Sequence, residues 1–197
     1  MRDLDPETSG AVEYVGRACL YVLALAGPED ILKVGFAADP LSRWAAFHPR
    51  WFDAFDLDAS LLVDTESRRD ARRLETRLHR LLAAHACPVP MTMRPRAGGA
   101  SEWFRGAMVK ARNFVHGLAA DGFVVHDPAR PLIADAMVNA RPSVMELVQA
   151  ALRAQQDGAL GGAQLAAVHH WLDAHRRFGM RLEDVTTEQE RMELGLQ

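Results

Sequence analysis

Two apolar runs only four residues apart constrain this chain more than any other feature. Cys19-Leu-Tyr-Val-Leu-Ala-Leu-Ala26 and Ile31-Leu-Lys-Val-Gly-Phe36 flank Gly27-Pro28-Glu29-Asp30. That turn is too short for a crossover connection, so the runs are expected to pair antiparallel as a hairpin. The first run is almost unbroken in apolar residues, which predicts a largely buried strand. The second carries Lys33 among apolar neighbours.

The elements downstream follow from capping and periodicity. Asp39-Pro40 supplies an N-cap and a proline at the first helical position, which predicts a helix from Leu41 to about Phe47, ended by His48-Pro49. Alternation around Leu57, Ala59, Leu61 and Val63 predicts a third strand over 55–64. Thr65 or Ser67 can then cap a long helix to about Ala84, whose apolar stripe is Ala71, Leu74, Leu78, Leu81 and Leu82. Glu75 falls on the border of that stripe beside Arg68, Arg72 and His79, where a carboxylate can look into a cleft.

Pro88 to Gly99 reads as a loop, Ser101 and Glu102 as the start of another helix running to about Leu118, and Phe123 to Val125 as a last short strand. Residues 8–17 read as a short helix or loose lead-in. From Asp127 the signals change to prolines at 128, 131 and 142, then helical patterns at Val144–Gln155, Gln164–Phe178 and Thr187–Leu194. The expected fold class is α+β: a small three-stranded mixed sheet flanked by helices, with a helical C-terminal extension. The expected divisions are 1–17, 18–125 and 126–197.

A formal net charge of −3 argues against a protein coated in positive charge, so nucleic-acid contact would have to be local. One local concentration exists, since Arg68, Arg69, Arg72, Arg73, Arg77 and Arg80 share the long helix. Cys19 and Cys87 are the only cysteines, one in an apolar run and one in a loop, which implies no disulfide framework. No apolar stretch reaches the roughly 18 residues of a spanning helix, and the acidic start Met1-Arg2-Asp3-Leu4-Asp5 lacks a secretory pattern. The expectation is a cytoplasmic protein with no membrane partner.

The predicted order of hairpin, short helix, third strand and long helix resembles the GIY-YIG nuclease superfamily. Leu20-Tyr21-Val22 stands where its first tripeptide would be and Lys33-Val34-Gly35 where its second would be. Arg43 and Glu75 fall in the two following helices, His79 comes one turn after Glu75, and Glu102-Trp103-Phe104 looks like the closing motif of a phage- and bacteria-associated branch. The resemblance spans roughly residues 18–118. It implies an endonuclease on DNA, most simply duplex, from a phage, mobile element or defence locus.

Phosphodiester hydrolysis needs an activated water, a divalent cation and a cationic group for the charge that develops on the phosphate. The resemblance assigns catalytic positions to Tyr21, Lys33, Arg43, His48 and Glu75, with Glu75 also holding one Mg²⁺ or Mn²⁺. Arg43 would grip the phosphate through two donors, and Arg68, Arg72 and His79 would contact nucleic acid. The second tripeptide departs from the family pattern, because Lys33 replaces the tyrosine proposed there as proton acceptor. Lys33 could accept a proton with a lowered pKa or stay charged and bind phosphate. Phe47 stands one turn after Arg43, where a His or Tyr is common, with His48 just beyond.

Blander readings stand beside these. Taken singly, Glu75 and Arg43 are ordinary surface residues, Tyr21 and the Trp103-Phe104 pair are core residues, and Glu102 is a helix N-terminal carboxylate. The arginine run can be balanced by Glu66, Asp70 and Glu75 as readily as by phosphate. His79, His85 and Cys87 match no zinc spacing, and His169, His170 and His175 read as surface residues. The alternative function is a catalytically weak or inactive module of the same fold that binds nucleic acid or a protein. The apolar stripe of Val144, Leu147, Val148, Ala151 and Leu152 could make it a homodimer, or could pack on the rest of the chain.

Overall fold

The computed structural model describes residues 18–93 and 102–196. The lead-in expected at 8–17, the end of the Pro88–Gly99 loop and Ser101 lie outside the described residues.

The hairpin forms as expected: β1 (Ala18–Leu25) pairs antiparallel with β2 (Ile31–Ala37), and Tyr21 lies opposite Gly35. β3 (Phe55–Thr65) pairs antiparallel with the other edge of β1. Two short edge strands complete the sheet, one where a helix start was expected and the other at the end of the short strand expected over Phe123 to Val125. β4 (Trp103–Arg105) adds to β2 and β5 (Val125–His126) adds to β3, both antiparallel, giving the order β4-β2-β1-β3-β5. The fold is therefore α+β with a five-stranded antiparallel sheet, which corrects the expected small three-stranded mixed one. Glu102 does not begin a helix. It leads into β4, and its carbonyl accepts the Val34 N–H at 3.0 Å, because the apolar pair Trp103-Phe104 is buried better on the sheet edge than in a helix turn.

Side chains alternate between the faces of the sheet. Leu20, Val22, Leu32, Val34, Leu61 and Val63 pack against α3 (Arg68–Leu82) and α4 (Met108–Ala120) through Leu74, Leu78, Leu82, Ala111, Val115 and Leu118. The opposite face carries Tyr21, which meets Trp44 and Phe47 edge-on at ring separations of 6.1 and 6.2 Å. Those aromatics come from α1 (Pro40–Phe47), next to the single-turn α2 (Trp51–Ala54). At a register shift between Val22 and Ala24, the Ser60 hydroxyl accepts the Ala24 N–H at 3.0 Å, so the broken ladder leaves that donor satisfied.

The caps explain where the site-bearing helices begin. Asp39 accepts the Leu41 and Ser42 N–H groups at the start of α1, with Pro40 as its first residue. Of the two expected caps for α3 the structure uses Ser67, whose hydroxyl accepts the Asp70 N–H at 3.1 Å. Thr65 instead donates to the Ala18 carbonyl and ties the end of β3 to the start of β1.

The chain divides by its contacts between Ala134 and Asp135. In the C-terminal unit, α6 (Arg141–Gln156), α7 (Gly162–Arg177) and the short α8 (Glu188–Glu193) enclose a core of Val144, Val148, Ala151, Leu152, Val168, Leu172 and Leu182. The stripe considered as a dimer face is used inside this unit. Pro131 and Pro142 stand in the first turns of α5 (Arg130–Asn139) and α6, where a missing N–H breaks no helical bond, so they start helices rather than interrupt them. His175, expected on the surface, is fully buried. No helix among the described residues is long and apolar enough to cross a membrane.

Candidate active site

β4 covers β2 only from Ile31 to Lys33. Just past its end, residues from both faces converge. Tyr21 and Lys33 arrive on β1 and β2, Arg43 and Phe47 on α1, Glu75 and His79 on α3, and Glu102 on the segment entering β4.

Gly35 makes the approach of Tyr21 possible. A Cβ at position 35 would lie 2.3 Å from the Tyr21 hydroxyl, so only glycine admits the ring there. The hydroxyl accepts a hydrogen bond from Arg43. Burial holds the Tyr21 phenol well above its usual range and Arg43 only partly offsets this, so the group stays protonated at neutral pH.

Lys33 is fully buried, and its ammonium is enclosed on three sides. It donates to Glu102 Oε2 at 2.8 Å and lies 4.6 Å from the Phe47 ring centre and 5.1 Å from that of Trp103. Burial pulls its pKa down, while the hydrogen bond and charge of Glu102 hold it up. Phe47 also receives the Arg43 guanidinium at 4.9 Å, so one ring carries both cations.

Glu75 is half-buried, and its carboxyl is pushed up to about 7, first by burial and then by the charge of Glu102. Arg72, Lys33 and Arg43 pull the other way and do not prevail. One turn on, His79 donates toward the Val34 carbonyl at 3.4 Å and lays its ring 5.3 Å from Phe104. Burial depresses its pKa, so it is neutral at physiological pH.

Tyr21, Lys33, Arg43, Glu75 and His79 are thus brought together, with exposed Arg72 at the rim. Arg68 lies exposed at the start of α3, one turn before Arg72. His48 ends α1, next to Phe47, and its Nδ1 accepts the Arg50 N–H at 3.0 Å. Sequence reasoning left Glu102 and Phe47 outside the site. The signal that could have found Glu102 is Lys33 itself, because a lysine in a buried strand requires a nearby carboxylate.

The T5orf172 domain family model matches residues 18–118, just over half of the chain and the segment that carries β1 to α4. The chain belongs to the T5orf172 domain family. No GIY-YIG family model matches, and the resemblance to that superfamily drawn from the motifs is corrected accordingly. No curated protein and no solved structure matches the chain. Membership of the T5orf172 family is consistent with a role on nucleic acid and does not specify a metal-dependent endonuclease.

Proposed function

We propose that the chain is a metal-dependent endonuclease that hydrolyses DNA phosphodiester bonds at the cleft between α1, α3 and the end of β4. The observation that carries this reading is the meeting of the Tyr21–Arg43 hydrogen bond with a carboxylate, Glu75, whose ionised form is held at a disadvantage.

Glu75 is the carboxylate offered to a hard divalent cation, and the described residues hold no cluster of three or more His, Cys, Asp or Glu ligands. Mg²⁺ and Mn²⁺ are held by one or two carboxylates and keep several waters, so a dedicated cage is not required. Glu75 has the matching property, since its negative charge is under-compensated by its surroundings and a divalent cation would supply the missing countercharge. When bound at Glu75, Mg²⁺ or Mn²⁺ would neutralise phosphate charge and make a bound water more acidic.

The other roles follow from the chain's own atoms. Arg43 is a permanently charged fork fixed by Tyr21 and Phe47, and it suits the phosphate oxygens on which charge builds in the transition state. Tyr21 keeps its proton and orients Arg43. Arg68 and Arg72 on the exposed side of α3 supply cations for the flanking backbone.

Supercoiled plasmid, linear duplex and single-stranded DNA should be incubated with wild type, Glu75→Ala and Arg43→Ala in Mg²⁺, Mn²⁺ or chelator. Wild type is expected to cut only with metal, and each variant to lose roughly 10²-fold or more. Binding of DNA without cleavage under every metal condition would replace this reading with a nucleic-acid-binding module.

A further inference from the structure

Glu102 enters the cluster beside Lys33, and its charge acts on Tyr21, Lys33, Glu75 and His79 alike. Its backbone is locked to the sheet by the Val34 N–H, and its carboxylate by Lys33 at 2.8 Å. The two partners differ in access. The Lys33 side chain has no exposed surface, whereas 23% of the Glu102 side chain is open to solvent.

That asymmetry decides which groups can meet a water. Lys33 lies beneath Glu102, Phe47 and Trp103 and cannot touch a substrate directly. Tyr21 is buried and hydrogen-bonded to Arg43. His79 directs its Nε2–H at the Val34 carbonyl and packs its ring on Phe104. Glu75 is taken up by the metal in this reading, and Glu102 is the carboxylate that is both anchored and open to solvent.

We propose that Glu102 is the general base of this site, taking a proton from the attacking water, and that Lys33 is the positioning residue that fixes its carboxylate. The inference rests on the endonuclease reading and gives that reaction its proton acceptor. As the water oxygen bonds to phosphorus, one of its protons passes to a Glu102 carboxylate oxygen. The bond from phosphorus to the leaving sugar oxygen breaks, and that oxygen is protonated from solvent. Glu102 then returns its proton to solvent, so water and a diester give a monoester and an alcohol.

The test compares wild type, Glu75→Gln, Glu102→Gln and the double variant Lys33→Met/Glu102→Gln on duplex DNA with Mg²⁺, reading kcat, KM and thermal midpoint. Glu102→Gln should lose 10² to 10⁴-fold in kcat, roughly what general-base catalysis supplies, with KM changed by less than about threefold. The double variant leaves no lone buried charge, so it keeps the assay decisive where the single variant folds poorly, and it should show the same loss in kcat at a wild-type thermal midpoint. A double variant that retains kcat within about threefold, while Glu75→Gln is inactive, would make Glu102 a structural partner of Lys33 and overturn the inference alone. A wild type that cuts nothing with any divalent metal would overturn the endonuclease reading, and this inference with it.

Discussion

At Glu75 a half-buried carboxylate is pressed toward neutrality by burial and by Glu102 against three cations, and the balance can be read from stability. Its folded pKa, about 7, lies above the usual 4.5, so the folded state holds the proton more tightly across that interval. Stability from this group is therefore full below about 4.5 and is lost as pH rises through 7. Glu75→Gln, which mimics the neutral acid, should raise the thermal midpoint at pH 8 by about 2–4 °C, on the order of 1 kcal/mol after solvent screening. At pH 4.5 it should change nothing. Saturating Mg²⁺ should stabilise wild type at pH 8 and leave the variant unmoved; equal stabilisation of both would remove the metal from Glu75. The Lys33–Glu102 pair makes a second case. Glu102→Gln alone strands a buried ammonium and should cost about 3–5 kcal/mol, most of it recovered in Lys33→Met/Glu102→Gln by urea denaturation. Tyr21, Arg43 and Glu75 were legible because each sits on an element whose limits the sequence marks clearly. Glu102 was not, because its partner lies 69 residues away and pairing at that range leaves no local pattern.

Among the elements, α3 does two jobs on two faces. Leu74, Leu78 and Leu82 bury one side, and on the other Arg69, Arg72, Arg73 and Arg80 are exposed. Six arginines against Asp70 and Glu75 give this helix a formal charge of +4 in a chain of −3. A duplex lying over that outer face would be held by counterion release, so affinity should fall steeply with salt. Replacing Arg69, Arg73 and Arg80 with alanine should reduce the slope of log affinity against log salt by roughly 2–3. Hydrolysis of a small phosphodiester, which cannot reach the outer face, should continue at the wild-type rate; an unchanged salt slope would mean that the arginines only solvate the helix. The face itself was legible from 3.6-residue periodicity. β4 was not, being three residues long, too short to show alternation and placed by pairing with a distant edge, whereas the short strand expected over Phe123 to Val125 forms two residues long as β5. Glu102 before two aromatics imitates a helix start, and the sheet edge at β2 decided otherwise.

In the whole molecule the two units have separate cores, and each has its own response to acid. The helical patterns of α6 and α7 were legible because each buries a periodic stripe, but nothing local marks that His175, near the end of α7, points inward. The buried ring donates Nδ1–H to the Trp171 carbonyl at 2.9 Å, and its Nε2 has no partner among the described residues. Burial, aided by the nearby charge of Arg141 and opposed by the Trp171 carbonyl, lowers its pKa below the usual 6.5. The unfolded chain then binds the proton more readily than the folded one. Stability from a neutral His175 is full above about 6.5 and is lost as pH falls toward the depressed folded value. In the other unit Glu75 works in the opposite sense and offsets the acid loss from His79, so acidification should separate the two cores in stability. Thermal melts followed by circular dichroism should broaden or split between pH 8 and pH 5, with the low-temperature component arising from the helical unit. His175→Leu, which fills the site without a titratable group, should remove the acid sensitivity of that component while leaving the other unchanged. If the variant melts with the same pH dependence as wild type, the acid response lies elsewhere, and the buried imidazole is only a packing element between α6 and α7.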